Sequence, residues 1–311
     1  MMKIKIGITG SGNTTKTHIR QLFETGLFEV VGFTGADVIN ARNIIKEFNI
    51  PYYTSLNELL SKCDAIDFAG INEEYFENIC TSIKLSKHVF ISYPYYLKVH
   101  ELKAINILLK EAHVTVQTGY TERFNPAFIS ALPFVDNPTF IDTARLVQYS
   151  TQNDNISVIY DLMIKDIDIV LSLIKSNVKK ISANAVSIVH ENPDMVSARI
   201  EFDNGSMANL TAGRVSEMNI RKARVYQNQS YVFIDFYEKW VKCSAKNVEH
   251  LDFEDIKVTK LNDVLLQFNS FATSIATKSE PLVNVDSSYH SVDIANQISE
   301  KIKLRTNIFS E

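Results

Sequence analysis

KIKIGITGSGNTTKTH, residues 3–18, is the stretch that decides the fold of the first half of the chain. Three isoleucines at alternate positions predict a buried strand, which runs into a glycine-rich turn and then a helix. Gly10 allows the tight turn, and Gly12 lets bare backbone approach a pyrophosphate at the N-terminus of the helix. The stretch therefore predicts the opening of a dinucleotide-binding βαβ unit.

The third position of this glycine fingerprint is Thr15. Because threonine is larger than glycine, helix and strand should pack slightly farther apart at this point. We expect Asn13 and Thr15 to complete the loop that holds the cofactor. A glycine loop is a weak signal by itself, so a turn that binds no cofactor remains the alternative.

Composition sets the outer bounds. The 311 residues are 45% hydrophobic and 22% charged, which predicts two globular domains with proper cores. A net charge of -4 and a pI near 6.0 give no indication of a basic surface that would bind nucleic acid. The three cysteines lack the spacing of a disulfide framework or a zinc site, so no metal is expected. No apolar run approaches the ~20 residues of a membrane span, which predicts a cytoplasmic protein without membrane contact.

Strands and helices alternate up to about residue 118, which predicts a doubly wound parallel sheet with right-handed crossovers. The loop at 70–72, which contains Asn72, follows a buried strand and is expected to face the cofactor at the carboxyl edge of the sheet. A capping box at 55–58 predicts the start of a helix. The predicted strands are 4–8, 28–33, 52–54, 65–69, 88–91 and 114–117, and the other predicted helices end at Gly26 or cover about 73–86 and 99–112.

The end of the second strand carries the signal for cofactor choice. NAD-selective units have an Asp or Glu there that binds the adenosine ribose. This chain has Thr34 and Gly35 instead, with Asp37 two residues farther on. Without that carboxylate a 2′-phosphate is not repelled, and Arg42 or Lys46 on the next helix could contact it. We therefore favour NADP over NAD. The alternative is that Arg42 and Lys46 are solvated helix residues that contact no phosphate.

Two further runs resemble one family closely. They are VQTGYTERFNP at 116–126 and DLMIKDIDIVLSL at 161–173. Together with the glycine loop they are similar to the Gfo/Idh/MocA family, which is named after glucose-fructose oxidoreductase, inositol dehydrogenase and rhizopine catabolism. The resemblance covers nearly the whole chain, and within the family it points to the branch that acts on nucleotide sugars and related sugars.

The resemblance implies an α/β protein in two domains. An N-terminal Rossmann domain with a doubly wound parallel sheet would cover residues 1–120. A C-terminal α/β domain with an open, mostly antiparallel sheet would cover 121–311, its last helices packing back on both domains. The implied activity is hydride transfer between a nicotinamide cofactor and a hydroxyl or ketone of a sugar, nucleotide sugar or cyclitol.

Departures from the family pattern fall at the expected site. Ser92, Tyr93 and Pro94 stand where the family usually has Glu-Lys-Pro, Lys165 stands where a histidine is usual, and Tyr75 replaces a common histidine. These replacements keep open a catalytically silent relative that binds a nucleotide or partner without turnover. A tyrosine at position 93 also resembles biliverdin reductases, although those enzymes lack the 161–173 helix, which argues against a tetrapyrrole substrate.

A helix from about 158 to 175 would place Asp161, Lys165 and Asp168 on one face. The alternative is a solvated stripe with an Asp–Lys pair. In the catalytic interpretation Tyr93 is the general acid/base, Lys165 stabilises its phenolate and orients substrate, and Asp161 keeps the lysine charged. The resemblance adds Pro94 to the cofactor contacts, and it adds Arg123, Asn125, Asp168 and Arg214 to the substrate contacts. For Arg214 a position in solvent is the equal alternative.

From residue 140 onward the pattern changes to longer strands, at 140–149, 180–189, 197–202, 206–213, 222–227 and 231–236. Residues 203–205 supply turn chemistry between two of them, and the polar stretch 150–155 is expected to form a loop over the site. Helices at 262–277 and 289–304 close the chain. An open sheet leaves one face for a partner, and the apolar strand at 231–234 predicts a homodimer or homotetramer through that face, with Trp240 as a packing or interface residue.

Overall fold

A computed structural model describes residues 3–35, 37–149, 157–246 and 251–308; the predicted loop at 150–155 lies outside them. The chain divides into two compact units. Unit 1 consists of Met1–Thr121 and Leu261–Tyr289, and unit 2 consists of Glu122–Lys260 and His290–Glu311. The boundary at residue 289 falls inside the last helix, so this helix begins in unit 1 and continues in unit 2.

Unit 1 is an α/β unit with a parallel sheet in the order β2-β1-β3-β4-β5 among its described residues. The order reverses direction beside β1, and ligands of doubly wound sheets bind outside the carboxyl ends of the strands at such a point. The strands are β1 (Ile4–Thr9), β2 (Phe28–Thr34), β3 (Ala65–Phe68), β4 (His88–Ile91) and β5 (Val116–Thr118). The helices are α1 (Asn13–Thr25), α2 (Val38–Phe48), α3 (Leu56–Leu60), α4 (Tyr75–Lys84) and α5 (Val99–Leu109).

Two details of unit 1 correct the sequence interpretation. Residues 52–54 form no strand, because pairing is limited to a single bridge between Phe33 and Tyr52, and the strand at 88–91 is consequently the fourth. Ser55 precedes α3 without a side-chain capping bond, so the predicted capping box is wrong although the helix is present. The end of α1 is as predicted, since Gly26 adopts the left-handed conformation with φ 67°.

The core of unit 1 includes α8 (Asp263–Thr277), a helix from the far end of the chain. Its Phe268 and Phe271 pack on Phe90 of β4, with ring centroids 4.9 and 5.6 Å apart from that of Phe90. Ile6 and Ile8 of β1 are fully buried in the same cluster. The alternating isoleucines of the opening stretch therefore face this core.

Unit 2 is built on a mostly antiparallel sheet, whose described strands have the order β13-β12-β11-β10-β6-β9-β8-β7 with β6 and β9 parallel. Together with unit 1 this confirms the predicted fold class. The strands are β6 (Phe140–Gln148), β7 (Val178–Val186), β8 (Met195–Phe202), β9 (Met207–Ser216), β10 (Ile220–Gln227), β11 (Ser230–Asp235), β12 (Trp240–Lys246) and β13 (Leu251–Ile256). The helices are α6 (Pro126–Ala131), α7 (Ile164–Leu173) and α9 (Val285–Ile308), of which α9 starts in unit 1.

The second half of the chain also differs from the prediction in four elements. A π-helical turn at Ile159–Met163 precedes α7, so the predicted helix is not regular at its start. Strands β12 and β13 were not predicted, and α9 starts four residues earlier than expected. The predicted turn at 203–205 is present, with Gly205 at φ 85°. No helix within the described residues is long and apolar enough to cross a membrane.

Candidate active site

Three glycines meet where β1, β2 and β3 end in unit 1. Gly10 has φ 105°, and a Cβ added to it would lie 2.8 Å from the backbone of Gly70. A Cβ on Gly35 would lie 2.9 Å from the carbonyl carbon of Gly10. Real Cβ atoms do not approach backbone this closely, so all three positions are needed for the shape of the loop. The sequence interpretation gave this role to Gly10 and did not anticipate Gly70.

Gly12 differs from these three glycines. It stands before the first turn of α1, in an extended conformation, and a Cβ added to it would meet nothing within 4 Å. Asn13 beside it is exposed, whereas Thr15 is fully buried against the turn at Gly10. The fold itself therefore does not need glycine at position 12. Glycine at this position leaves the N-terminus of α1 open, and helix N-termini of this kind suit anionic groups such as a pyrophosphate.

Asp37, three residues beyond the end of β2, is engaged as the N-cap of α2. Its carboxylate accepts hydrogen bonds from the backbone N–H groups of Ile39 and Asn40, both at 3.0 Å, and thereby caps α2. These bonds lower the pKa of Asp37, the bond from Asn40 most. The carbonyl of Thr34 accepts a 2.7 Å bond from the N–H of Gly10, which fixes β2 to the glycine loop. Asn72 is exposed in the loop after β3.

Tyr93 is hydrogen-bonded to α1. Its hydroxyl lies 2.5 Å from the hydroxyl of Thr14, the second residue of α1. Its backbone N–H donates to the hydroxyl of Tyr75 at 3.4 Å. Pro94 is buried at the start of a 3₁₀ turn, Pro94–Tyr96. Two of the departures from the family pattern, Tyr75 and Tyr93, are thus in direct contact.

In unit 2 the π-helical turn carries Asp161, and Lys165 follows one turn later on α7. Such single π turns are frequent at functional sites. Burial lowers the pKa of Lys165 below its ordinary value, and attraction to Glu122 partly opposes that effect. A lysine with a lowered pKa can exchange a proton nearer neutral pH than a solvated lysine can.

Arg145 on β6 lies between two acidic side chains of unit 2. Its Nη1 donates to Glu122 at 2.7 Å, and its Nε and Nη2 donate to Asp166 on α7 at 3.2 and 2.8 Å. All three side chains are buried. Burial alone would raise the pKa of Glu122, but Arg145 and Lys165 outweigh burial and lower it to about 2.

Two of the predicted substrate contacts pair with each other. Arg123 Nη1 lies 3.6 Å from Asp168 Oδ1. Burial raises the pKa of Asp168 to about 6, although Arg123 opposes that rise. Oδ2 of Asp168 is buried without a hydrogen-bond partner among the residues that the structure describes.

The other two predicted substrate contacts have different surroundings. Asn125 caps α6 through a 2.9 Å bond from Ala127 N–H to its Oδ1, and its Nδ2 donates to the carbonyl of Phe236 at 3.0 Å. These bonds give Asn125 a structural role within unit 2. Arg214 lies in β9 and is buried, which excludes the alternative of a solvated side chain.

Sequence reasoning missed Asp67, Glu122, Arg145 and Asp166. Two of them left a signal. Asp67 is a charged residue in the otherwise apolar strand AIDF, and Arg145 follows Ile141 and Thr143 at the inward positions of an alternating strand. A charged residue in a buried register requires a partner, so these positions predict ion pairs even though the partners cannot be named.

A cavity of about 630 Å³ in unit 1 is separate from this chemistry. It lies at the amino ends of β4 and β5, beside His88 and Val116, whereas the glycine loop lies at the carboxyl ends of the strands. Among the described residues no group of three or more His, Cys, Asp or Glu side chains is arranged to hold a metal ion.

Comparison with known families agrees with this geometry. Residues 4–120 match the model of the Gfo/Idh/MocA oxidoreductase family with an NAD-binding Rossmann fold, and residues 139–229 match the C-terminal domain of the same family. The two matches together span more than half of the chain. The chain belongs to the Gfo/Idh/MocA family. The predicted resemblance is thereby confirmed, as is the interpretation as an NAD(P)-dependent oxidoreductase.

Individual members of the Gfo/Idh/MocA family align over most of the chain. UDP-N-acetylglucosamine 3-dehydrogenase of Acidithiobacillus ferrooxidans is 25% identical over 238 residues, which cover 76% of this chain and 75% of the relative. The NAD(+)-dependent scyllo-inositol 2-dehydrogenase of Bacillus subtilis is 23% identical over 239 residues, which cover 71% and 70%.

Two solved structures share the fold of this chain. The structure of the Acidithiobacillus ferrooxidans enzyme superimposes with a TM-score of 0.92 over 98% of this chain and 99% of that chain, at 21% identity. A levoglucosan dehydrogenase in complex with NADH and L-sorbose superimposes with a TM-score of 0.85 over 97% of both chains, at 14% identity. At such identities the superpositions establish the fold alone.

Proposed function

We propose that this protein is an NAD(P)-dependent dehydrogenase that acts on a ring hydroxyl, or the corresponding ketone, of a sugar, nucleotide sugar or cyclitol. The open space at Gly12 carries the proposal, since it meets the N-terminus of α1 in a domain that matches an NAD-binding family. The substrate class is supported by two relatives, named as dehydrogenases of UDP-N-acetylglucosamine and of scyllo-inositol.

The residues proposed to hold the cofactor all lie in unit 1. Gly10 shapes the turn, Gly12 and Asn13 present backbone to the pyrophosphate, and Thr15 seats the helix on the strand. The remaining proposed contacts come from the loops that follow β2, β3 and β4, namely Thr34, Gly35, Asn72 and Pro94. A bound nicotinamide supplies or accepts the hydride.

Lys165 is proposed to exchange the proton of the substrate hydroxyl. It occupies the position where the family usually has a histidine, and burial lowers its pKa in the direction that such a role requires. Asp161 attracts the charged form of Lys165 and so moderates the lowering. The predicted couple of Tyr93 with Lys165 remains a prediction.

Substrate hydroxyls are proposed to bind Arg123, Asp168 and Arg214. The carboxylate of Asp168 is of a type that accepts hydrogen bonds from hydroxyls, and Arg123, which is paired with it, is of a type that donates them. Hydrogen bonds of this kind distinguish a hydroxylated ring from an apolar ligand of the same size.

A thermal-shift screen of nucleotide sugars, hexoses and inositols in the presence of cofactor tests the substrate class. Compounds of the true class should raise Tm. No increase in Tm with any of the three classes would contradict the proposal.

We expect Gly12→Val to weaken NADH and NADPH binding at least tenfold, because the new side chain would occupy the space of the pyrophosphate. Tm should stay close to that of the wild type, since the added Cβ meets no protein atom within 4 Å. Titration of cofactor fluorescence measures the affinity. Gly10→Val is the matched comparison, and it should lower Tm because its Cβ collides with Gly70. Unchanged affinity in Gly12→Val would mean that the turn is merely structural.

NADP is the proposed preference, because Asp37 is held as a helix cap and Arg42 on α2 is exposed nearby in the sequence. Arg42→Ala should weaken NADPH binding about tenfold and leave NADH binding unchanged. Gly35→Asp is a poor test, since its Cβ collides with Gly10 for either cofactor. Lys84→Ala, on α4, is the control. Equal affinities for NADPH and NADH in wild-type protein would contradict the preference.

A homodimer or homotetramer through the outer face of the unit 2 sheet is also proposed. Strand β11 points Val232 and Ile234 into the core and Tyr231 and Phe233 to the opposite face. On that face Tyr231 contacts Tyr226 and Phe253, and Phe233 contacts Trp240. An aromatic stripe of this extent on a sheet face is typical of an interface.

Phe253→Asp should convert the oligomer to a monomer in light scattering at micromolar concentration. Phe253 is 50% exposed at the edge of the stripe, so its own unit loses little when it is replaced, whereas a carboxylate buried at an interface is costly. Tyr237→Asp is the matched control, because Tyr237 is 52% exposed in the turn between β11 and β12. A monomeric wild-type protein would refute this assembly.

A further inference from the structure

Thr14 and His18, one turn apart on α1, are linked to two consecutive residues of the loop after β4, Thr14 directly to Tyr93 and His18 through Asp67 to Ser92. Thr14 shares a 2.5 Å hydrogen bond with the hydroxyl of Tyr93, and His18 Nδ1 lies 2.7 Å from Oδ2 of Asp67 on β3. The other oxygen of Asp67 accepts a 3.1 Å hydrogen bond from the hydroxyl of Ser92. The bonds close a ring, which runs from Thr14 through Tyr93, Ser92 and Asp67 to His18 and returns along α1.

The ring has a buried base, formed by Asp67 and His18, and an accessible tip, formed by Tyr93 and Thr14. Asp67 is fully buried and His18 nearly so, with the His18 ring edge-on to Phe268 at 5.0 Å. Tyr93 and Thr14 are partly exposed. A buried carboxylate with a partner on each oxygen has a defined position, so the base is rigid and fixes the residues at the tip.

Backbone packing restricts the loop further. A Cβ on Gly119 would lie 2.7 Å from the carbonyl oxygen of Ser92. The backbone of Ser92 is therefore in close contact with Gly119, the residue that follows β5. The N–H of Tyr93 is bonded to Tyr75. Tyr93 is therefore fixed at its backbone, at its preceding residue and at its hydroxyl.

We propose that Thr14 and Ser92, the latter held by Asp67 and His18, are positioning residues for Tyr93 and fix the direction of its hydroxyl relative to the N-terminus of α1. The inference rests on the proposed function, in which that N-terminus binds the cofactor. Ser92 and Tyr93, which both depart from the family pattern, then depend on Asp67. The hydrogen bond between the Ser92 hydroxyl and Asp67 holds the loop that carries Tyr93. A hydroxyl held in one direction can hydrogen-bond to a bound molecule without further loss of rotational freedom, so Tyr93 can orient that molecule while Lys165 exchanges the proton.

Thr14→Val removes the hydroxyl and keeps the shape of the side chain. With every tyrosine labelled at ¹³Cζ, the Tyr93 resonance is identified by its loss in Tyr93→Phe. We expect Thr14→Val to move that resonance, Thr14→Ser to restore it, and Ser92→Ala to move it as well. Thr17→Val is the matched control on the same helix, since its hydroxyl bonds only to the carbonyl of Asn13 at 3.1 Å among the contacts described. A Tyr93 resonance that is the same in Thr14→Val and wild type overturns the proposal.

A double-mutant cycle on hydride transfer gives the second measurement. Thr14→Val should lower kcat about tenfold with KM and the Kd for NADH within twofold of wild type, and Thr14→Ser should recover most of the rate. In the Tyr93→Phe background Thr14→Val should have no further effect. Additive losses overturn the positioning role. Absence of cofactor binding or of hydride transfer in wild type is a failure of the proposed function instead, and the resonance measurement still decides the position of Tyr93.

Discussion

Lys165→Met should lower the turnover of a ring alcohol on the order of a thousandfold, because the substrate hydroxyl then loses the group that exchanges its proton. Methionine has a similar length and no charge, so the packing of α7 should be kept. The Kd for NADH should change less than twofold, since the proposed cofactor contacts lie in unit 1. Steady-state kinetics with the alcohol from the substrate screen, together with a fluorescence titration of NADH, measures both quantities.

Lys165→His supplies the positive control, because it restores the residue that the family usually carries at this position. In the direction of alcohol oxidation the base must be neutral, so the rate rises as pH increases through the pKa of the residue at 165. Imidazole has an ordinary pKa of about 6.5 against about 10.4 for lysine, so the acid limb of the profile should move to lower pH. Lys179→Met, at an exposed position on β7, should leave turnover unchanged. Wild-type turnover in Lys165→Met would refute the role.

Arg145→Met should destabilise the protein by about 3–5 kcal/mol, the usual cost of leaving buried charges without their partner. Arg145 is 1% exposed and is hydrogen-bonded to both Glu122 and Asp166, so its loss leaves two buried carboxylates without the guanidinium that they share. Chemical denaturation monitored by circular dichroism measures the free energy of unfolding. Removal of both carboxylates in the same chain, by Glu122→Gln and Asp166→Asn, should recover part of the loss.

The control is Arg224→Met on the neighbouring strand β10. Arg224 Nη1 lies 2.9 Å from Asp142 Oδ2, but both side chains are about a third or more exposed, and surface pairs contribute at most about 1 kcal/mol. Similar losses in the two variants would contradict the burial argument.

Acid titration adds an independent check on the same cluster. The pKa of Glu122 is lowered from 4.5 to about 2, so its contribution to stability is complete above pH 4.5 and disappears as the pH falls toward 2. The wild type should lose the contribution of Glu122 across this window. Arg145→Met should lose much less, because Arg145 is the strongest of the attractions that lower this pKa.

The local signals in the sequence were sufficient for the fold class and the family. Alternating isoleucines before Gly10 define β1 and the glycine turn, Gly26 ends α1 in a left-handed conformation, and residues 203–205 form the predicted turn. These features depend on side-chain periodicity and on backbone conformations that glycine favours, and both are properties of short stretches. The pairing of residues 52–54 was misjudged because it depends on backbone that is distant in sequence, and the cap predicted at Ser55 is missing although it is a local feature.

The partners of the site residues were decided by tertiary structure alone. Asp67 and His18 are 49 residues apart in the chain, Thr14 and Tyr93 are 79 apart, and Arg145 and Glu122 are 23 apart. Periodicity shows which side of a strand or helix a residue occupies, but it carries no information on which element lies opposite. The sequence by itself therefore determined a nucleotide-binding α/β protein with a lysine and a tyrosine at unusual positions. The packing of the strands and helices determined which residues surround that lysine and that tyrosine. The physical reason is that a buried charge takes its pKa and its orientation from neighbours that are distant in sequence.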